Sequence, residues 1–546
     1  MHRMKVDTTS GCGDNSVFTD ASAVADPVAE MATSAFGIKY LFPWQRLVIA
    51  NILDAVQASN DARDTPDARN AVAGDTPDIL AGDELHDEDG ALRGQQIVLL
   101  PTGAGKSLCF QIPALFLDKP TLVIYPLLAL MSDQMRRMNE SALEAVIFRG
   151  GQSPEERKAQ FARLDGSDGK PPARLVIANP EVLVASEAVI GRLEKRGISH
   201  FAIDEAHCVA EWGDSFRPSY LELGGVIERL RPSAVTAFTA TASPPVLARI
   251  ADALFGGQAH VVRGDTDRPN IKYRVVACRA KAPALVREVA SRERPMVIFC
   301  ATRGGTEKTA RMLREILHDE DILFYHAGLR KEEKQAVEAW FHGHARAILC
   351  CTCAWGMGVD KKDIRTVIHK DAPPTVEAYV QEAGRGGRDG LDAEAVLLWS
   401  MDDATKIAKK ADRSSIFLKY AECSGCRRDV ILRALGDPGA GADAPEGKTV
   451  ACSGCDVCDG TAIRHERDAE IVVEAVRKNS HAYTKAELAE YLYERGNALS
   501  RERHGFAQWR LADFSLMIDS LLKDGSLREL DRWPFRGKLA LTPVRG

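Results

Sequence analysis

The 546-residue chain contains no run of 18 or more apolar residues, so no membrane-spanning helix is expected. Its opening residues, Met1 to Asp20, lack the apolar stretch of a secretion signal. Both absences point to an intracellular protein, cytoplasmic or nucleoid-associated, with no membrane partner. A surplus of positive charge is also missing: 71 Lys and Arg stand against 77 Asp and Glu, a net charge of -6. That balance does not advertise nucleic acid, although it says little about any single groove. Nor do the 13 cysteines read as a disulfide framework. Their number is odd, the chain is large, and Cys452, Cys455 and Cys458 crowd into one short segment, which favours a metal in an intracellular protein. What is present is an ordinary globular mixture, 45% hydrophobic and 27% charged, with material for several cores.

Residues 1–33 are polar and aperiodic and read as a disordered tail. A second aperiodic stretch, 57–94, carries Asp83, Glu84, Asp87, Glu88 and Asp89 and reads as a disordered acidic insertion, a solvated spacer. It interrupts a first unit at 34–263. The short apolar runs of that unit, at 97–100, 122–125, 175–178, 201–203 and 235–238, alternate with helical patterns. Strands apolar on both faces suit a parallel sheet covered by helices. After a junction at 265–270 the alternation restarts in a second unit, 264–400, with runs at 296–299, 322–325, 347–350, 367–368 and 395–398. The expected fold class is α/β: two parallel-sheet domains, a helical cysteine module at 401–462 and a small domain at 463–546.

Pro101-Thr102-Gly103-Ala104-Gly105-Lys106-Ser107 lies between an apolar strand and a helical stretch. That context suits a phosphate loop for ATP or GTP. The backbone of Thr102, Gly103, Ala104 and Gly105 would face phosphate oxygens, Lys106 would neutralise the β- and γ-phosphates, and Ser107 would ligate Mg²⁺. The strict pattern has Gly where this chain has Leu100, but the Gly-x-Gly-Lys-Ser core is intact. Another apolar strand ends in Asp204-Glu205-Ala206-His207. Asp204 would hold Mg²⁺ through water, and Glu205 would orient or deprotonate the attacking water. The bland alternative, an exposed acidic strand end, sits poorly with a phosphate loop upstream. In the second unit, Gln381-Glu382-Ala383-Gly384-Arg385-Gly386-Gly387-Arg388-Asp389-Gly390 is either a glycine-rich turn with solvated charges or an arginine finger. On the latter reading Arg388 stabilises the transferring phosphoryl group, with Arg385 and Gln381 assisting.

Cys426, Cys452, Cys455 and Cys458 together supply four thiolates, which suit tetrahedral zinc at a closed site. The Cys-x-x-Cys-x-x-Cys run equally begins an iron–sulfur pattern. In the last 84 residues, stripes at Ile471, Val472, Ala475 and Val476, at Leu488, Tyr491 and Leu492, and at Phe514, Met517, Ile518, Leu521 and Leu522 predict three helices. Two strands follow, at 527–530 and 538–542, which suggests a winged helix. Between the strands, Trp533, Pro534 and Phe535 are flanked by Arg532 and Arg536. They are either a tip that meets duplex ends or aromatics packed onto their own domain.

The phosphate loop, Asp204-Glu205-Ala206-His207-Cys208 and the 381–390 segment together resemble superfamily 2 helicases, the RecQ family in particular. Further segments match in order: Tyr125-Pro126-Leu127-Leu128-Ala129-Leu130-Met131-Ser132-Asp133-Gln134, Phe238-Thr239-Ala240-Thr241-Ala242, Asp267-Arg268-Pro269-Asn270, Tyr325-His326-Ala327-Gly328-Leu329 and Trp355-Gly356-Met357-Gly358-Val359-Asp360-Lys361. The resemblance covers 34–460 strongly and the remainder weakly. It implies two RecA-like domains and ATP-dependent, 3′ to 5′ unwinding of DNA in repair and recombination. Single-stranded and duplex or forked DNA would be the partners, and a monomer is the simplest state. It further implies that Gln45 reads adenine, that His207 belongs to the catalytic box, and that Trp212, Phe216 and Arg217 contact a single strand. Among the metal options it selects Zn²⁺, with Cys426 rather than Cys423 as fourth ligand. The chain departs from the family pattern at Ile38 and Phe42, where base-stacking residues are usual, and at Glu211 and Asp214, which add negative charge beside the single-strand segment. An RNA helicase, a translocase that does not unwind, and a zinc-containing DNA-binding protein with an inactive motor are the alternatives.

Overall fold

The computed structural model describes residues 26–64, 86–87, 90–101, 104–126, 143, 145–212, 218–264, 267–356, 361–410, 413–437, 452–462, 467–504, 507 and 509–543. The first lobe is a seven-stranded sheet of β1 (Gln95–Leu99), β2 (Thr121–Ile124), β3 (Ala145–Phe148), β4 (Leu175–Ala178), β5 (His200–Ile203), β6 (Ala234–Thr239) and β7 (His260–Arg263). Their order is β3-β4-β2-β5-β6-β1-β7, and every pair is parallel. The five predicted runs form its interior. Their alternate side chains feed two separate cores, one on each face: Ile97, Leu122, Val176 and Phe201 on one, Val98, Val123, Ile177 and Phe238 on the other. Burying each such side chain stabilises the fold by roughly 2 kcal/mol, which is why central strands are apolar throughout. The two edge strands, β3 and β7, have partly exposed positions; β3, Ala145–Phe148, is an apolar run that sequence reading passed over, whereas β7 carries His260 and Arg263 at its ends.

The second lobe is also parallel. It comprises β8 (Ile271–Ala277), β9 (Met296–Phe299), β10 (Ile322–Tyr325), β11 (Ile348–Cys351), β12 (Thr366–His369) and β13 (Ala393–Trp399), in the order β10-β11-β9-β12-β13-β8. The unpredicted strand β8 starts directly after the junction and alternates, burying Ile271, Tyr273 and Val275.

Two segment readings need correction. The tail does not reach residue 33: a helix occupies Pro27–Phe36, capped by the Asp26 carboxylate, which accepts from Val28 and Ala29 N–H groups, and closed by Gly37 at φ 66°. Its start and stop signals, Asp-Pro and Gly, are in the sequence. The insertion does not begin at 57, because the helix Pro43–Asp64 runs through that point. Residues 1–25 and 65–85, the bulk of both segments, lie outside the described residues. On the return, the Asp87 carboxylate sits 2.8 Å from His260 Nδ1 on edge strand β7.

Among its described residues the cysteine module has no core of its own. Phe417, Tyr420, Ile431 and Cys455 pack with Tyr273, Leu397 and Trp399 of the second sheet. It also covers the sheet's free edge: the Asp456 side chain accepts from Val275 N–H at 2.9 Å, and Asp456 N–H donates to the Tyr273 carbonyl at 3.0 Å. An uncovered edge is a pairing hazard that folds commonly mask. The C-terminal unit has the three expected helices, Arg467–Lys478, Lys485–His504 and Leu511–Lys523, and the hairpin β14 (Leu527–Glu529) and β15 (Leu539–Leu541). It docks on the second lobe where Arg279 pairs with Asp524 and donates to Ser520 Oγ at 3.0 Å.

Candidate active site and metal centre

In a parallel sheet, the loops beyond the strands' carboxyl ends share one edge. In the first lobe β1 delivers Lys106 to this edge, β5 delivers Asp204 and Glu205, and β6, between them, delivers Thr239. Gly105 adopts φ +77°, where a side chain is strained, and a Cβ there would come within 2.9 Å of Gln45 Nε2. Gln45 itself is buried. Its Oε1 accepts from Phe42 N–H at 2.9 Å and its Nε2 donates to the Ala104 carbonyl at 3.3 Å, bracing the loop. Lys106 Nζ is shielded from solvent and has no hydrogen-bond acceptor among the described residues. Ser107 precedes the helix Leu108–Phe116, but its hydroxyl does not cap it. A buried ammonium with no hydrogen-bond acceptor among the described residues, next to a serine at a helix start, fits a phosphate with its cation. Thr102 and Gly103 lie outside the described residues.

Glu205 has a positive φ of 51°, a strained conformation for a non-glycine residue. His207 Nδ1 is 3.4 Å from the Glu205 carboxylate and 3.1 Å from Thr239 Oγ1. Because the Thr239 hydroxyl donates to the Thr241 carbonyl at 3.0 Å, it accepts from His207 Nδ1–H. Burial, and secondly the Glu205 charge, push Asp204 up to about 6. Burial also pushes Glu205 up, but the charges of Lys106, His207, Arg385 and Arg388 together outweigh it and hold the carboxyl below its ordinary value. Those two arginines belong to the second lobe, so one cleft contains all six groups.

The facing wall grows from the helix Val376–Ala383 and the loop that follows it. Arg385 is buried with its guanidinium over the Trp355 ring at 5.4 Å. Gln381 is half-buried on the same helix. At the start of this helix the buried Glu377 accepts from Ser243 N–H of the first lobe at 3.2 Å, so the lobes touch directly. Sequence reasoning passed over this residue, and it passed over Arg268 and Asn270 as side chains that hold the arginine loop from beneath. The only signal for the latter pair was their place in the Asp267–Asn270 junction.

The sulfur atoms of Cys426, Cys452, Cys455 and Cys458 all lie within 4.8 Å of one another. A tetrahedral Zn²⁺ with bonds of about 2.3 Å separates its sulfurs by about 3.8 Å, so the donor set fits with small adjustment. Cys423 lies outside the group, its thiol near the carbonyls of Tyr420 and Gly425, each at 3.4 Å.

Two family models match: DEAD/DEAH box helicase over residues 85–250 and helicase conserved C-terminal domain over 280–390. The ATP-dependent DNA helicase RecQ of Bacillus subtilis is 31% identical over 460 residues, 79% of this chain and 75% of that protein. The chain belongs to the RecQ family. RecQ of Pasteurella multocida is 33% identical over 386 residues, 68% of this chain but only 58% of that protein's length. Among solved structures, the DUF1998 helicase MrfA bound to DNA superposes with a TM-score of 0.51 at 16% identity, covering 94% of this chain and 59% of that one. The two sheets are accordingly RecA-like domains. The RecQ-like segment expected to touch a single strand is mostly out of view: the Trp212 side chain, Phe216 and Arg217 lie outside the described residues, as do residues 127–134 and 357–360. At the RecQ departure, Phe42 stacks on Trp44 at 5.6 Å with Tyr40 edge-on, and both Tyr40 and Phe42 are exposed. On the hairpin, Trp533 is 90% exposed, whereas Phe535 rests on the His481 ring at 5.0 Å. Among the described residues no helix is long and apolar enough to cross a membrane.

Proposed function

We propose that the chain is an ATP-dependent DNA helicase that hydrolyses ATP between its lobes and uses their closure to move 3′ to 5′ along one strand and part the duplex. The observation that carries this reading is the convergence of Lys106, Asp204 and Glu205 with Arg385 and Arg388 from the opposite lobe. Lys106 takes the β- and γ-phosphates, Ser107 and Asp204 hold Mg²⁺, and Glu205, oriented with His207, positions the attacking water. Arg388 stabilises the transferring phosphoryl group with Arg385 and Gln381 beside it. Gln45 reads the base, and Phe42 or Tyr40 supplies its stacking face. Trp212, Phe216 and Arg217 contact single-stranded DNA. DNA repair and recombination, in the cytoplasm or nucleoid, is the setting, with the monomer as the working unit.

The C-terminal unit acts as a winged helix, and exposed Trp533 meets the fork. The test is a forked DNA duplex with ATP, run beside the matching RNA duplex. DNA should open only with ATP, and Trp533→Ala should open it at least about fivefold more slowly while keeping its single-strand-stimulated ATP turnover, the scale of one lost base stack. Unwinding by Trp533→Ala at the parent rate removes the wedge, and opening of RNA alone overturns the DNA assignment.

The four-cysteine site holds Zn²⁺ in this reading and locks the module onto β8. Cys426→Ser should leave less than one zinc per chain by elemental analysis and cost roughly 4 kcal/mol or more in denaturant unfolding. Cys423→Ser should retain both zinc and stability. The reverse pattern would assign the fourth ligand to Cys423.

A further inference from the structure

We infer that Arg268 and Arg428 are positioning residues for the arginine loop, through which the cysteine module sets the second wall of the nucleotide cleft. The inference rests on the cleft reading above. Arg268 lies in the junction between the lobes. Its Nη1 donates to the Gly384 carbonyl at 3.0 Å, and its Nη2 donates to the carbonyls of Gly386 at 3.2 Å and Gly387 at 2.9 Å. Asn270 Nδ2 donates to Gly387 and Leu391 carbonyls, both at 2.8 Å. Two junction side chains thus grip the backbone on both sides of Arg385 and Arg388. The grip is close: Gly387 has φ +57°, and a Cβ there would stand 2.4 Å from the Leu391 carbonyl and 2.5 Å from Asn270 Nδ2.

The junction is itself gripped from below. Arg428 is buried, pairs with Asp267, donates to the Arg268 carbonyl at 3.1 Å and to the Ile271 carbonyl, and lies over the Tyr273 ring at 5.1 Å. It stands in the first turn of the helix Arg427–Ala434, whose cap residue is the cysteine ligand Cys426. The adjacent Arg427 pairs with buried Asp456, next to Cys455. At the far end of this helix, Arg263 of the first lobe donates to the Gly436 carbonyl at 3.1 Å. The helix therefore splints the inter-lobe junction. A continuous set of hydrogen bonds runs from the cysteine cluster through Arg428 and Arg268 to the loop that carries the finger. A guanidinium suits this task, because its fixed fork reaches several carbonyls at once and it stays charged when buried.

The test uses the full chain and the variants Arg268→Gln, Arg428→Gln, Arg388→Ala and the double variant Arg268→Gln/Arg388→Ala. Hydrogen–deuterium exchange is measured without nucleotide, beside zinc content and steady-state ATP hydrolysis. Peptides spanning 381–391 should exchange several-fold faster in Arg268→Gln and Arg428→Gln, and zinc should stay at the parent level in Arg268→Gln. The kcat should fall by about tenfold or more in Arg268→Gln, the scale expected when a reacting group is displaced by a fraction of an ångström. The KM for ATP should stay within about twofold. If Arg268 acts through Arg388, the double variant turns over no more slowly than Arg388→Ala alone. Parent-like exchange in both single variants, or a second independent loss in the double variant, overturns the inference. A parent chain without DNA-stimulated ATP turnover overturns the cleft reading instead, and the exchange data then decide the bracing alone.

Discussion

Alanine in place of Arg388 is expected to lower kcat for DNA-stimulated ATP hydrolysis by about 10³-fold or more, the range seen when such a finger is withheld. Binding of ATP should change little. The charge that a finger stabilises grows on the phosphoryl oxygens only in the transition state, so the loss falls on kcat rather than KM. Arg388 is placed for this role by its reach: although it belongs to the second lobe, its charge helps hold Glu205 of the first lobe ionised. Arg385 is not an equal substitute. It is 4% exposed under the Trp355 ring, and burial first, then Arg388, lowers it to about 10. Removing Arg388 relieves that repulsion and leaves Arg385 charged in place, so the variant reports on Arg388 alone. Arg388→Lys should recover only part of the loss, because an ammonium supplies a point charge without the planar fork. Steady-state kinetics at saturating single-stranded DNA decide it. A normal kcat with a raised KM would make Arg388 a ground-state contact and remove the finger.

The interiors of both sheets and the order of the domains were legible because strands buried on two faces must be continuously apolar. Strand β7 was not, because His260 and Arg263 break its apolar pattern, nor was β8, which alternates like any half-buried segment; β3, Ala145–Phe148, is an apolar run that was overlooked. The helix at Pro27 was overlooked despite its caps, since it is only ten residues long and adjoins the polar start of the chain; it is held by tertiary contacts, here Ala32 against Ile49 and Ile112. At the site, Lys106, Asp204 and Glu205 could be read from one strand end each, because loop chemistry at a strand's carboxyl end is local. Arg268 and Arg428 could not. Their partners lie more than a hundred residues away in the chain, and an Arg in a connector looks the same whether it binds solvent or a distant carbonyl. Spacing alone also left Cys423 and Cys426 open. Only the folded chain brings the Cys426 sulfur to the other three.

Glutamine at position 205 should produce a chain that binds ATP and DNA but turns over ATP about 10²- to 10⁴-fold more slowly, the contribution typical of a positioned general base. The substitution keeps the length of the side chain and adds no bulk at the strained φ of 51°, so the thermal midpoint should move little. What it removes is the one carboxylate that the cleft keeps ionised against burial, through the fields of Lys106, His207, Arg385 and Arg388. Its neighbour responds in the opposite sense. Asp204 is pushed up by burial and then by the Glu205 charge. With that charge gone, Asp204 falls back toward the ordinary carboxylate range and is more fully ionised near neutral pH. The nucleotide with its cation should therefore bind as tightly as in the parent, or more tightly. The two halves separate this reading from simple damage to the cleft, because a distorted site loses affinity and turnover together. Equilibrium binding of a fluorescent ATP analogue, beside single-turnover hydrolysis, measures both. Hydrolysis at the parent rate in Glu205→Gln would show that the water is activated elsewhere, and weakened binding together with lost turnover would show that Glu205 serves the fold of the loop instead.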